Sequence, residues 1–325
     1  MLLVGCSTPT PSAHREPACR QTDVPIRWYV PRLDRAVLDR WCATVGSPAV
    51  DTIGDSTTTV PPDSLVVVSW NVHAGGGNLE QLVSDLRHGR LTHGRPVEDF
   101  VLLIQEALRI TDSLPPVRSG EVPERIYAVD EQDSTRSEIV AAARRLGLAY
   151  AYVPSMRNGP VNEDRGNAIV ASVPLSHLVA IELPVERQRR VTIAANVRMS
   201  DTVLTVASVH LENRSNHLLR SFGAGRLRQA LAIMRVLPKS APAVVGGDMN
   251  TWFALEAESS LHLMRQWFPR TPSTEVGATY ETVGVGRTVD HVFFRLPRGW
   301  RVTYRRINSD YGSDHLPVIG VVSAR

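Results

Sequence analysis

The feature that most constrains this chain is a series of short apolar runs that meet polar side chains at their ends. Asn71 follows the run VVVSW, Glu106 follows VLLIQ and His210 follows TVASV. Short apolar runs rich in β-branched residues are typical of buried β-strands. Because strand ends lie along a shared sheet edge, we expect residues far apart in sequence to meet in one cleft there. The other polar residues at strand ends are Asp248, Asn250, Asp290, Asp314 and His315.

Each of these residues taken alone would be compatible with a structural role. Asp and Asn after a strand commonly make Asx turns, and a histidine beside a strand commonly serves the core or the surface. The carboxylates of the dipeptides Gln105-Glu106 and Asp314-His315 have no turn-forming reason to be there. The number of independent positions therefore favours a functional site over a collection of turns.

The spacing of apolar residues predicts many more strands than helices. Helices are expected at 78–89, where Asn78 can cap the first turn, and at 135–147, 224–237 and 256–268. This pattern favours two sheets packed face to face with helices outside them over a regular alternation of strands and helices. The remaining strands are predicted at AYAYV, NAIVAS, VTIAANV, VLTVASVH, AVVGGD, VDHVFFR, VTYRRI and LPVIGVV.

Composition excludes some classes of protein but selects no partner. The 325 residues are 43% hydrophobic, which is ample for a buried core and excludes a disordered chain. The net charge of +3 is compatible with an anionic substrate, but it is far from the charge of a dedicated nucleic-acid coat. No apolar run is long enough to predict a transmembrane helix after residue 6.

The first residues, MLLVGC, resemble the end of a bacterial lipoprotein signal, in which the cysteine is lipidated after cleavage. Cys6 would then be the lipidation site and the protein would be attached to a membrane in the bacterial envelope, outside the cytoplasm. Only five residues precede Cys6, whereas a leader needs a basic segment and a longer apolar one, so a start assigned too far downstream would explain the shortened leader. The alternative is a chance match, in which case the location is cytoplasmic.

Two further cysteines lie in the segment 7–63, which we interpret as a tether and an N-terminal helical extension. In an oxidising compartment Cys19 and Cys42 would form a disulfide, whereas in the cytosol they would be two thiols, and we predict the disulfide. The segment is rich in Pro, Thr and Ser at both ends and predicts one short helix between them. The main domain is expected to span 64–325.

Seven motifs carry a resemblance to a known family. SWNVHAG, LLIQEAL, RGNAIVAS, VASVHLEN, VVGGDMNTW, TVDHVFF and SDHLPVIG occur in the order and approximate spacing of the endonuclease/exonuclease/phosphatase superfamily, the deoxyribonuclease-I-like metal-dependent phosphoesterases. The resemblance covers residues 64–323. It implies a four-layer αββα sandwich and a phosphodiesterase that uses Mg²⁺, for which Mn²⁺ would be a substitute.

The resemblance assigns a metal-binding role to three residues. Glu106 is expected to be the main Mg²⁺ ligand, with Asn71 beside it, and Asp314 either completes the metal site or positions His315. This set suits Mg²⁺, which prefers hard oxygen ligands, keeps several waters and is commonly held by one or two carboxylates.

The resemblance assigns the reaction chemistry to five other residues. Asp248 would orient or deprotonate the attacking water, and Asn250 would hold a phosphate oxygen. His315 would contact the scissile phosphate, and His210 would donate a proton to the leaving group near neutral pH. Asp290 would support a histidine. Asp290 and Asp314 could each stand behind either histidine, and the sequence does not pair them.

Two weaker site assignments and one role for glycine complete the expectations. His73 would reach the edge of the metal site. Arg165 would grip a phosphate oxygen, or else form a structural ion pair with Asp164 or Glu163. The glycines of GGDMN, residues 246–250, are expected to let the backbone approach the phosphate closely.

The expected substrate is a phosphate ester, either in nucleic acid or in a phospholipid headgroup, and the protein is expected to be a monomer. A nuclease-like phosphodiesterase is the leading interpretation. The alternatives are a phospholipase-like, sphingomyelinase-like or phosphomonoesterase activity, and a non-catalytic binding module on the same fold. Substrate identity is not fixed by the fold, since one scaffold carries many specificities in its loops.

Overall fold

The computed structural model describes residues 19–20, 25–55, 60–115, 136–158, 162–213, 223–251, 254–273 and 276–324. Cys6, the predicted lipidation site, lies outside the described residues. None of the helices in these ranges is long and apolar enough to cross a membrane.

The described residues form fifteen strands and five helices. The strands are β1 (Ile26–Tyr29), β2 (Ala49–Asp51), β3 (Ser64–Asn71), β4 (Phe100–Ile110), β5 (Ala149–Arg157), β6 (Glu163–Ala171), β7 (Ser176–Glu182), β8 (Val191–Met199), β9 (Thr202–His210), β10 (Ala243–Asp248), β11 (Tyr280–Thr282), β12 (Val285–Arg287), β13 (Asp290–Arg295), β14 (Arg301–Arg306) and β15 (Val318–Ser323). The helices are α1 (Arg35–Cys42), α2 (Leu79–Arg87), α3 (Ile139–Arg145), α4 (Ala224–Val236) and α5 (Ala254–Trp267).

Two large mixed sheets form the centre of the molecule. Over the described ranges, one sheet has the strand order β1-β7-β8-β9-β10-β13 and the other has the order β14-β15-β3-β4-β6-β5-β2. Strands β11 and β12 form a separate short hairpin, and Tyr280 of β11 also makes an isolated bridge to His315. The parallel pairs β3–β4 and β9–β10 bring the carboxyl ends of neighbouring strands to the same edge.

Three groups of buried apolar side chains separate four layers. Between the sheets, Leu103 of one sheet and Val206 of the other belong to a common core. On the outer face of the seven-stranded sheet, α2 and α3 pack through residues such as Leu82. On the outer face of the other sheet, α4 and α5 pack through Ile233 and Met264. The predicted αββα sandwich is therefore confirmed.

The helices begin and end close to the predicted residues. Asn78 caps α2, because its side-chain oxygen accepts from the backbone N–H of Gln81 at 2.9 Å. Gly89 follows with φ of 72°, a left-handed conformation that suits glycine after a helix. Helix α3 starts later than predicted, because the Glu138 carboxylate caps it by accepting from Val140 N at 3.0 Å.

The segment before residue 64 is more than a helical extension. Strand β1 adds in parallel to β7 at the edge of one sheet, and β2 adds to β5 at the edge of the other. The predicted disulfide is present: Cys19 is bonded to Cys42 in α1, with their Cα atoms 5.5 Å apart. The extension therefore joins both sheets and is also tied to itself covalently.

Candidate active site

Two rows of polar residues face each other at the edge where the predicted strand ends meet. In the six-stranded sheet, Asp248 lies opposite His210 on one side and opposite Asp290 on the other. In the seven-stranded sheet, Asn71 lies opposite Gln105, the residue before Glu106. The strand register therefore brings residues distant in sequence to one place.

Four of these residues, Asn71, Glu106, His210 and Asp248, line a cleft of about 230 Å³. A larger groove of about 870 Å³ runs beside β14 and residues 91–99, but it contains none of the predicted site residues. Asp290 is fully buried behind the cleft wall. The residues that line the cleft are Asn71, His73, Glu106, Arg165, His210, Asn213, Asp248, Asn250, Tyr280, Val289, Asp314 and His315.

Three of these residues have a left-handed backbone, which is uncommon for residues other than glycine. The φ angles are 46° at His73 and 51° at both Glu106 and Asn250. Glu106 also lies where the pairing of β4 with β6 shifts register, between Ile104 and Ala107. Such a bulge re-aims a side chain out of the regular ladder. Strain of this kind commonly marks functional sites, and here it falls on predicted ones.

The two glycines before Asp248 serve strand packing, which differs from their predicted role at a phosphate. A Cβ on Gly247 would lie 1.8 Å from the backbone oxygen of Val209 on β9. A Cβ on Gly246 would lie 2.9 Å from Cβ of Ser69 on the facing sheet. Both positions therefore require glycine, because β10 lies close to β9 and to the facing sheet there. This close packing holds the end of β10, which carries Asp248.

Asp248 is at the centre of the site and is almost completely buried. Its carboxylate accepts from Asn71 Nδ2 at 3.1 Å and from the backbone N–H of Asn250 at 2.8 Å. Burial, together with the neighbouring Asp290 carboxylate, raises the pKa of Asp248 from 3.8 to about 7, although His315 acts in the opposite direction. Asp248 can therefore exchange a proton near neutral pH.

The structure resolves which carboxylate stands behind which histidine. Asp290 Oδ2 lies 2.8 Å from Nδ1 of His315, whereas Asp314 Oδ2 lies 2.9 Å from Nδ1 of His73. Burial opposes charge on His315, but Asp290 and then Asp248 raise its pKa to about 10, so the ring is cationic at neutral pH. The Tyr280 ring lies beside it, with the ring centroids 4.7 Å apart.

His210 has an arginine at the position where a carboxylate was expected. Its Nδ1 atom lies 3.0 Å from Nη1 of Arg190, and its Nε2 atom lies 3.4 Å from Oδ2 of Asp248. Neither Asp290 nor Asp314 occupies this position. Burial, and then the positive charges of Arg190 and Arg165, hold the pKa of His210 well below its ordinary value. A buried histidine beside two guanidinium groups is a poor site for a positive charge.

Arg165 reaches the cleft and not the two acids that were considered as its structural partners. Its Nη1 atom donates to Oε2 of Glu106 at 3.1 Å. Asp164 instead binds Arg109 and accepts from the Tyr152 hydroxyl, and Glu163 binds Arg136. The structural ion pair predicted as the alternative is therefore wrong, because those acids are already engaged by other arginines.

The cleft offers two sets of groups that could hold a cation. Glu106 and Asp314 supply carboxylates on its walls, and Asn71 supplies an amide oxygen that also accepts from His73 N at 3.1 Å. These hard oxygen donors fit Mg²⁺. The second set contains Asp248, Asp290 and His315, whose ligand atoms lie within 4.8 Å of one another. In that set, His315 and Asp290 are already bonded to each other.

Three polar residues in or beside the cleft were not predicted from the sequence. Tyr280 lies in the short hairpin and Asn213 follows β9, so neither stands directly at the end of a long apolar run. Arg190 lies in the run ERQRRV, which has the composition of a solvated loop. Only its position immediately before the buried strand β8 could have signalled a buried arginine.

The fold and the site together define an α/β sandwich protein with acid, amide and histidine side chains at one edge of two sheets. A model of the endonuclease/exonuclease/phosphatase family matches residues 68–315, and this chain belongs to that family. Nucleases and phosphatases hydrolyse phosphate esters, so the chain is a member of a family of phosphoesterases. No curated protein matches the chain significantly.

Two solved structures illustrate the similarity of fold. An endonuclease/exonuclease/phosphatase from Beutenbergia cavernae DSM 12333 has a TM-score of 0.55 and 16% identity, over 80% of this chain and 71% of that one. A family protein from Leptotrichia buccalis C-1013-b has a TM-score of 0.52 and 13% identity, over 79% of this chain and 98% of that one. These similarities show a shared fold.

Proposed function

We propose that this protein is a Mg²⁺-dependent phosphodiesterase. The observation that carries the proposal is the convergence of Glu106, Asp248 and His315 on one cleft, at strand ends contributed by both sheets. An acid that can hold a hard cation, an acid that can exchange a proton and a cationic histidine can together promote hydrolysis of a phosphate ester.

Asp248 orients the attacking water in this proposal. Its pKa of about 7 allows it to accept a proton from that water near neutral pH. Asn71 and the backbone of Asn250 hold the carboxylate by donating to it, so its orientation is set before substrate arrives. Asn250 is fixed in turn, because its side chain donates to Leu211 O at 2.9 Å.

Positive charge on the cleft walls holds the phosphate. His315 is cationic and keeps its Nδ1 on Asp290, and its Nε2, which lies 3.9 Å from Asp314 Oδ1, can donate to a phosphate oxygen. Arg165 supplies a guanidinium, which can bind phosphate in a bidentate manner. When bound by Glu106, Asn71 and Asp314, Mg²⁺ would neutralise negative charge on the phosphate or the leaving oxygen.

Hydrolysis of bis-p-nitrophenyl phosphate with added Mg²⁺ or Mn²⁺, and its loss in EDTA, tests the proposal. Glu106→Gln should lower turnover and be partly rescued by more Mg²⁺, because it weakens metal occupancy. Glu80→Gln is the matched control, since Glu80 forms an exposed ion pair with Arg145 outside the cleft. If native protein hydrolyses no phosphate ester with either metal, the proposal is wrong and a binding module on this fold is the better description.

For the substrate, we propose a phosphodiester in nucleic acid. A parallel assay of plasmid DNA, RNA, sphingomyelin, phosphatidylinositol and sugar phosphates decides it. Nicking of DNA or cleavage of RNA supports the nuclease. Release of phosphorylated headgroup from mixed lipids would instead support a phospholipase-like or sphingomyelinase-like activity. Release of phosphate from a sugar monoester would support a phosphomonoesterase.

We also propose that the protein works outside the cytoplasm, attached to a membrane through a lipid on Cys6. The disulfide between Cys19 and Cys42 supports this, because such bonds persist in oxidising compartments. The test expresses the protein from a gene extended upstream and compares its partition into membranes with that of the Cys6→Ser variant. Equal solubility of the two forms in the cytosol contradicts the proposal.

A further inference from the structure

Arg190 contacts the site without lining it. Its side chain is buried and is not among the described residues that line the cleft. Its Nη1 atom nevertheless lies 3.0 Å from Nδ1 of His210. Among the predicted site residues, His210 is therefore the one through which Arg190 makes contact with the cleft.

The contact with Arg190 determines the hydrogen-bonding roles of the two ring nitrogens of His210. A guanidinium group has five N–H donors and no acceptor, so Nδ1 of His210 must accept. A neutral imidazole that accepts at Nδ1 carries its hydrogen on Nε2. Nε2 lies 3.4 Å from Oδ2 of Asp248, which is longer than an ordinary N–H···O bond. This N–H is therefore only weakly held within the protein.

We propose that Arg190 is a positioning residue that fixes His210 with its hydrogen on Nε2, so that His210 donates a hydrogen bond to an oxygen of the substrate phosphate. The identity of that substrate rests on the proposed function, whereas the tautomer does not. His315 has the opposite arrangement, since its Nδ1 donates to Asp290. Among the histidines that line the cleft, His210 is therefore the one whose Nδ1 accepts from an arginine.

The segment that carries Arg190 is held firmly by the rest of the chain. Glu212 lies 3.9 Å from Arg190 and accepts from the backbone N–H groups of Arg187 and Gln188 at 3.2 and 2.8 Å. The adjacent residue, Arg189, is fully buried and donates to Glu182 at 2.9 Å. The guanidinium of Arg190 is therefore positioned before any substrate binds.

The N-terminal extension braces the same segment. Glu182 also accepts from Arg20 at 3.3 Å, and Arg20 adjoins the disulfide-bonded Cys19. The Arg189 guanidinium is in addition fixed by the backbone oxygens of Pro154 and Ser155, at 2.9 and 3.0 Å. A continuous set of buried contacts thus runs from the disulfide to the residue beside Arg190.

The tautomer can be measured directly by nitrogen-15 NMR of the histidine rings in the full chain, with EDTA and without substrate. His210→Gln identifies the His210 signals by their loss. In the native protein, we expect a protonated Nε2 and an unprotonated, accepting Nδ1. Arg190→Lys keeps a side chain that only donates and should preserve this pattern, whereas Arg190→Glu should move the hydrogen to Nδ1.

Kinetics on bis-p-nitrophenyl phosphate test whether the tautomer matters. Arg190→Glu should lower kcat by about 10²–10³-fold, as for removal of one preorganised donor to the transition state, with a smaller change in KM. Arg190→Lys should retain kcat within about tenfold of native on the same reasoning. Arg228→Gln is the matched control, and its kcat should stay near the native value. Arg228 lies in α4 and pairs with Glu186 of the segment that carries Arg190, but it does not contact His210.

The outcomes separate this inference from the proposed function. A hydrogen on Nδ1 of His210 in the native protein overturns it, and so does a folded Arg190→Glu variant with an unchanged tautomer or native kcat. If the tautomer is as expected but the native protein cleaves no phosphate ester, the proposed function fails and only the role toward a phosphate falls with it.

Discussion

The buried carboxylate of Asp248 should destabilise the folded protein at neutral and higher pH. We therefore predict that Asp248→Asn abolishes hydrolysis at every Mg²⁺ concentration and yet makes the metal-free protein more stable at pH 8. Activity is lost because the amide cannot accept the proton of the attacking water. Stability rises because a buried charge that costs free energy is replaced by a neutral group.

The size of the effect follows from the pKa of Asp248. This pKa is 3.8 in the unfolded chain and about 7 in the folded protein. A difference of about three in pKa corresponds to about 4 kcal/mol. Because the folded pKa is raised, the folded state binds the proton more readily, and stability is lost as pH rises through the interval from about 4 to about 7. Asparagine has no proton to lose over this interval.

Asparagine also changes hydrogen bonds, since Asp248 accepts from both Asn71 and Asn250. Those changes contribute equally at the two ends of the pH interval. The informative quantity is therefore the difference in unfolding free energy between variant and native protein, compared at pH 4 and pH 8. We expect this difference to shift in favour of the variant by about 2–4 kcal/mol, the lower end allowing for relaxation around the charge.

Urea unfolding in EDTA at both pH values measures this shift. Asp201→Asn is the control, because Asp201 is exposed in a turn and its substitution should change stability little at either pH. If the Asp248→Asn variant gains nothing between pH 4 and pH 8, burial does not raise the pKa of Asp248 and the assignment of this residue as proton acceptor loses its basis.

Three further predictions follow from individual contacts. The pKa of His315 is raised from 6.5 to about 10, so the stabilisation from its pairing with Asp290 is complete below about pH 6.5 and is lost as pH rises through 10. Asp290→Asn should therefore lower the free energy of unfolding in urea more at pH 6 than at pH 10.5, and an equal loss would contradict the pairing. Gly247→Ala should cost about 1–3 kcal/mol or more, because its Cβ would overlap the neighbouring backbone; an unchanged melting temperature would contradict this. Replacing Cys19 and Cys42 by serine opens a loop with a sequence separation of 23 and should cost about 3 kcal/mol in urea; reducing agent should have the same effect on the native protein and none on the variant.

The layers and the location of the site could be predicted because both depend on short-range patterns. Apolar runs indicate strands, and the residue at the end of a run lies at a sheet edge whatever the strand order. Glu106, His210 and Asp248 were found in this way. The backbone strain at Glu106 could not be predicted, because a bulge depends on the register with a neighbouring strand that the sequence does not give.

The side-chain pairings could not be predicted, because they depend on how the two sheets face each other. Asp314 is adjacent to His315 in sequence but pairs with His73, while Asp290, twenty-five residues earlier, pairs with His315. Adjacent residues on a strand or turn point in different directions, so closeness in sequence is a poor guide to contact. The strands β1 and β2 were missed for another reason: each is short and half exposed at a sheet edge.

Two of the three histidines that line the cleft show how one cleft can hold groups of opposite character. His315 and His210 both line the cleft, yet Asp290 stands behind one and Arg190 behind the other. The partner of Nδ1 decides whether the ring donates or accepts there, and so decides what Nε2 presents to the substrate. His315 is cationic and His210 donates at Nε2, so neither ring is free to accept a proton, whereas Asp248 has a pKa of about 7. In the proposed reaction, Asp248 rather than His210 or His315 is therefore the group that accepts a proton from the attacking water.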